Sequence, residues 1–190
     1  MQPRPAALPA LLAVLVLAPL GALRADPWPA IAIPASNAAT LRAPAPRPPS
    51  GDADARARLL HRALRTGAPA DVEAALAFFL PRDPFLAIKD MSGAAGYFTT
   101  LTRWYRRDIA ELRRASPWLA TSEYEGFQLS RACAWMSPGR EANRLPYWSC
   151  YRSRLLLREL GRATPRALEV HVMIHWGDQW FVTHLGALRR

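Results

Sequence analysis

The sequence predicts an α+β domain in which three helices precede and pack on a four-stranded antiparallel meander. Three observations predict it. Apolar residues recur at helical spacing in segments between residues 52 and 115. After Ser122 the pattern changes to a period of two. Gly177-Asp178, set between Trp176 and Gln179, is a two-residue hairpin signal. Helices grouped ahead of strands, not alternating with them, define the class.

Each element has a local reason. Asp52 or Asp54 can cap a first helix that runs to Arg65, with Gly67 as its stop. Leu59, Leu60, Ala63 and Leu64 form its apolar stripe. Pro69 suits the first position of a second helix, which carries Val72, Ala75, Leu76, Phe79 and Leu80 and ends at Pro81. Residues 82–92 read as irregular, with room for a short strand or a helical turn around Phe85 to Ile88. The longest helix spans Gly93 to Ala115 and is closed by Pro117. Its stripe is Tyr97, Leu101, Trp104, Tyr105, Asp108 and Leu112. Four strands follow, at 123–136, 145–158, 166–176 and 179–186.

Turn and cysteines set the register. The 177–178 turn pairs Trp176 with Gln179, Ile174 with Phe181 and Val172 with Thr183 on an apolar face directed at the helices. The other face then holds His175 beside Trp180, Met173 beside Val182 and His171 beside His184. Cys133 and Cys150 read first as a disulfide between directly opposed strand positions, within bridging reach, with two buried thiols as the alternative. That choice pairs Trp135 with Trp148 and Ala134 with Ser149, and it leaves the bridge, the tryptophans and several arginines on the outer face. The neighbouring strand is expected to bring Arg154 beside His171.

The first 25 residues have the layout of a secretory signal peptide: Arg4, an apolar run from Leu8 to Leu20, then Gly21, Ala22 and Ala25. An uncleaved anchor is the alternative. The run is shorter than a spanning helix requires and contains Pro9 and Pro19. Residues 26–51, rich in proline and alanine, read as an extended disordered linker to a single domain over 52–190. The expected location is periplasmic or extracellular, where a cystine persists. The formal net charge of +10 is almost wholly arginine, with Lys89 the only lysine. Arginines spread over helices and strands alike, without clustered base-stacking aromatics, argue against nucleic acid. Contact with an anionic envelope surface fits the charge.

The element order, one long helix ahead of a curved meander, resembles the NTF2-like superfamily of cystatin-like cone folds. The resemblance covers about Asp52 to Leu188. It implies helices packed in the concavity of the sheet, a pocket in the cone and dimerisation through the outer sheet face. Some members are isomerases or dehydratases and many do not catalyse, so the fold does not choose an activity. The short early hairpin usual in that superfamily is not evident; residues 82–92 are the only room for it.

No complete catalytic or metal motif is present. Asp108 on the inward stripe, with Tyr105 or Tyr151 as proton donor, is the candidate acid–base set, because a carboxyl among apolar walls can shuttle protons. A structural reading pairs Asp108 with an arginine such as Arg103, Arg107 or Arg131. Tyr97, Tyr147, Trp176, His171 and His184 are the candidate binding residues, for a small apolar ligand or a protein partner. His171 and His184 with Glu169 fall short of the three or four close ligands zinc requires, and neither metal nor cofactor is expected. His61 reads as a surface residue, and no serine stands in a nucleophile elbow. The leading expectation is an exported binding domain, with a homodimer compatible with it; the alternative is an isomerase or dehydratase using Asp108.

Overall fold

The computed structural model describes residues 33–35, 37 and 47–186. The signal-like segment 1–25 and most of the proline-rich segment lie outside them. Among the described residues, four α-helices precede the strands: α1 (Asp54–Thr66), α2 (Pro69–Ala75), α3 (Arg82–Ile88) and α4 (Ala94–Ala115). The strands are β1 (Glu123–Gln128), β2 (Cys133–Met136), β3 (Tyr147–Arg158), β4 (Arg166–Trp176) and β5 (Gln179–His184). They form a curled antiparallel sheet of five strands, with the helices packed on it, so the class is α+β. None of the described helices is long and apolar enough to cross a membrane.

The start of α1 departs from the expected cap: Ala53 is its N-cap, with no side-chain cap, although the N–H of Asp54 donates to Asp52 Oδ1 at 3.0 Å. The other helix ends follow the sequence more closely. Gly67 ends α1 in the left-handed region at φ 64°, and the N–H of Gly67 donates to Ala63 O. Arg113 of α4 closes the same end, its Nε donating to Leu64 O at 2.9 Å and its Nη2 to Thr66 O at 3.0 Å. Pro69 opens α2, which tightens into a 3₁₀ turn over Leu76–Phe78. The segment expected to be irregular contains α3. Pro84 is its third residue, where the backbone N–H has no intrahelical partner to lose. Phe85, Leu86, Ala87 and Ile88 are all buried, so packing holds this short helix.

The expected first strand is two strands, both paired with β3. β1 lies against residues 154–158 and β2 against 147–150. Cys133 stands opposite Cys150, Ala134 opposite Ser149 and Trp135 opposite Trp148, as the cystine implies. The disulfide is present, with Cα atoms 4.0 Å apart. Between β1 and β2 the chain leaves the ladder. Facing the break, Arg152 of β3 has a left-handed φ of 64°, a conformation a non-glycine residue adopts at a cost of about 1–3 kcal/mol.

Two register expectations are corrected. β3 pairs with β4 so that Arg154 opposes Glu169, not His171. β4 and β5 pair as expected from Trp176–Gln179 through Met173–Val182, and then slip by one residue. The slip is a β-bulge at Thr183, so Val172 opposes His184 and the N–H of His171 donates to Leu185 O at 3.3 Å. His171 and His184 therefore lie on opposite faces of the sheet and form no pair. A one-residue shift is enough, because side chains alternate faces along a strand.

The concave face carries Leu155, Leu157, Leu168, Val170, Ile174 and Phe181, all buried within one apolar core with Leu60, Leu64, Phe78, Leu101, Tyr105 and Ile109 of the helical layer. The outer face is divided. Arg152, Arg154 and Glu169 are exposed, whereas Met173, His175, Trp180 and Val182 are buried. Chain preceding α1 contributes to that cover. Asn37 is 3% exposed; its Nδ2 donates to His175 O at 3.4 Å and its Oδ1 accepts the N–H of Gly177 at 2.6 Å. Trp180 Nε1 donates to Pro49 O at 3.4 Å. At these described positions the proline-rich segment is docked, not extended. The free edge of β5 is covered too, by parallel bridges from Asp52 to Gln179 and from Phe79 to Val182. His61 is buried, not on the surface, with Nε2 3.1 Å from Ser122 Oγ.

Candidate functional site

A partly open cavity of about 230 Å³ lies between the helices and the concave face. Phe85, Met91, Tyr97, Leu101, Val172 and Ile174 supply its apolar walls. Lys89, Glu141, Thr183 and His184, with the hydroxyl-bearing Tyr147 and Tyr151, supply its polar groups. Each arrives for a local reason. Tyr97 and Leu101 are one turn apart on α4. Tyr147 and Tyr151 share one face of β3, as even spacing requires. Thr183 and His184 reach the cavity through the bulge.

The loop between β2 and β3 brings the acidic group. Arg144 fastens this loop to the end of α3, its Nε donating to Ala87 O at 2.7 Å and its Nη2 to Leu86 O at 3.2 Å. The N–H of Asp90 donates to Ala142 O at 2.8 Å. Held in this way, Glu141 and Ala142 both adopt a φ of 50°, in the left-handed region. The Glu141 carboxylate accepts the Tyr147 hydroxyl at 2.9 Å, with Tyr151 Oη 3.5 Å from its other oxygen. Lys89 Nζ donates to Glu141 O at 2.9 Å and lies 5.8 Å from the centroid of the Tyr147 ring.

Electrostatics make this lining nearly neutral at pH 7. Burial pushes the His184 imidazole down to about 4, with the positive charges of His171 and Lys89 adding to the effect. It is therefore uncharged at neutral pH, with one nitrogen to donate and one to accept. Burial likewise pushes the phenols of Tyr97, Tyr147 and Tyr151 up, so all three stay protonated. Burial lowers the Lys89 ammonium, and the Glu141 charge partly offsets it. The set offers several neutral donors, one ammonium and one carboxylate already accepting from Tyr147.

Of the residues singled out in the sequence, Tyr97, Tyr147, Tyr151 and His184 line this cavity. Asp108 and Tyr105 do not. Asp108 is 8% exposed and its Oδ2 accepts the N–H of Gly186 at 3.1 Å. The Tyr105 hydroxyl donates to Ala75 O at 3.2 Å within the core, and its complete burial pushes it up. Asp108, Tyr105 and Tyr151 therefore do not converge. Trp176 is buried opposite Gln179, and His171 sits on the outer face with Nδ1 3.3 Å from Glu169 Oε1. No group of three or more potential metal ligands occurs among the described residues. Lys89 and Glu141 were missed from sequence. A signal existed for Lys89, the single lysine among many arginines; Glu141 carries none, because its place depends on a strained loop. The chain matches no family model, no curated protein and no solved structure.

Proposed function

We propose that this is an exported, non-catalytic binding domain of the cone-fold kind, which holds a small uncharged ligand between its helices and the concave sheet face. One observation carries the reading: an aromatic and aliphatic cavity whose polar groups are mostly neutral donors at pH 7. Its volume, about 230 Å³, is below the roughly 300 Å³ at which sites for drug-sized molecules begin. A single-ring aromatic molecule with one hydrogen-bonding group fits those terms. Tyr147, Tyr151 and His184 would bind the polar group, while Phe85, Tyr97, Leu101 and Ile174 enclose the ring. The disulfide and the signal-like start of the chain support export.

Ligand-observed NMR with indole and p-cresol tests the binding reading. Saturation transfer is expected with the native chain and is lost in Leu101→Trp, which fills the cavity. Equal transfer in a folded Leu101→Trp protein rejects it. Export is tested separately, by fractionating an expressing bacterium and determining the N-terminal residue of the mature chain.

A further inference from the structure

A second concavity lies on the outer side of the sheet, where β1 and β2 part. Gln128, Leu129, Ser130, Arg131, Ala132, Arg152 and Arg154 line it. It exists because the chain leaves the ladder between Gln128 and Cys133. Local hydrogen bonds shape the detour: the N–H of Ser130 donates to Ser153 Oγ at 3.2 Å, and that of Ala132 to Ser130 Oγ at 3.0 Å. The left-handed φ of Arg152 falls directly across from the gap.

Three arginines thus line one hollow. The nearest acidic residue in the register is Glu169, opposite Arg154. Its carboxylate is already engaged, with Oε2 accepting from Arg152 Nε at 2.9 Å and Oε1 3.3 Å from His171 Nδ1. Neither Arg131 nor Arg154 takes part in any salt bridge among the described residues. Arg131 and Arg154 bring positive charge to the hollow that no carboxylate of the described residues pairs, so an anion seated there is favoured. A carboxylate has two oxygens, and one guanidinium fork satisfies it. Two or three forks around one hollow match a tetrahedral dianion, whose oxygens can accept from several directions.

We infer that the Arg131–Arg152–Arg154 hollow is a binding site for a phosphate monoester group. It is separate from the cavity, on the other face of the sheet, so either can fail alone.

Calorimetric titration of the full chain with inorganic phosphate at low ionic strength tests the site. One phosphate per chain is expected, with affinity falling steeply as sodium chloride is added. Arg131→Gln/Arg154→Gln should weaken it at least tenfold. Arg103→Gln/Arg114→Gln, which removes the same charge from α4, should leave it unchanged. No binding by the native chain, undiminished binding in the first variant, or equal loss in both variants overturns the proposal; unchanged far-UV circular dichroism establishes that each variant is folded. Two arms identify the source of the phosphate. Flotation with phosphatidic acid vesicles, competed by free phosphate, assigns a lipid headgroup. Phosphate binding without vesicle binding supports the site and assigns a soluble phosphate ester.

Discussion

Val172 stands opposite His184 because the ladder between β4 and β5 slips at Thr183. This one extra residue decides which histidine reaches the cavity. With unbroken pairing His184 would share the outer face with His171. With the bulge it joins Val172 and Ile174 on the concave side, while His171 stays with Glu169 outside.

His184 should therefore titrate far below an ordinary histidine. Its position in the cavity pushes it down to about 4, through burial first and the nearby positive charges second. Following the imidazole C–H signals by NMR from pH 8 to pH 3.5 should give a midpoint near that value. A midpoint around 6.5 would return His184 to solvent and remove the bulge with it.

Acid should destabilise the fold through His175 as well. Burial beside Trp180 pushes its imidazole down to about 4, Asp178 opposing weakly, and its ring centroid is 5.1 Å from that of Trp180. The unfolded chain takes up this proton near pH 6.5 and the folded chain only near pH 4. Between those values the unfolded state binds more protons, so stability falls as pH falls. The contribution is complete above about pH 6.5, lost below about pH 4, and on the order of 3 kcal/mol. Urea denaturation of the native chain and His175→Gln at pH 7 and pH 4.5 should show a smaller acid loss in the variant.

Asn37 imitates a strand edge. Its side-chain amide meets one carbonyl and one N–H at the β4–β5 turn. Asn37→Ala removes both contacts from a buried position, at an expected cost of about 1–3 kcal/mol. Urea midpoints measure it. A change within error would mean that the segment ahead of α1 does not hold the hairpin.

The cystine joins residues 17 apart in sequence. A closed loop of that size raises stability by about 3 kcal/mol, chiefly by restricting the unfolded chain. Cys133→Ala/Cys150→Ala should lower the urea midpoint accordingly, and dithiothreitol should reproduce the effect in the native chain only.

Most of the sheet was legible because two local constraints pin it. The Gly177-Asp178 turn sets one ladder and the cystine sets another, and pairing follows by alternation. The bulge was not legible: Thr183 and His184 can each face Val172 without breaking the polarity pattern, and only the three-dimensional curl decides. For α3 the sequence left a strand and a helical turn around Phe85 to Ile88 both open, because seven residues with a proline show no helical period. The docking of Asn37 was hidden by its proline-rich surroundings, since proline content reports stiffness and says nothing of contacts. Within the cavity, the tyrosines of α4 and β3 could be read from spacing. Asp108 was read correctly as inward-facing, but an inward residue on a long helix can meet backbone instead of a cavity. Its carboxylate holds Gly186.

The loop carrying Glu141 stores strain that sequence does not advertise, and this too can be measured. Ala142 has a φ of 50° and an exposed methyl group, so its side chain contributes little packing. Glycine adopts that conformation without the Cβ clash, worth about 1–2 kcal/mol for an L-residue. Against this stands the greater freedom of glycine in the unfolded chain, about 0.5–1 kcal/mol. Ala142→Gly should therefore raise stability by up to about 1 kcal/mol, whereas Ala110→Gly on the exposed side of α4 should lower it by about 1 kcal/mol. Paired urea titrations decide the sign. If both variants lose equally, Ala142 is not held in the left-handed region. The loop would then not fix Glu141 at the cavity, and the hydroxyls of Tyr147 and Tyr151 would be left without their carboxylate.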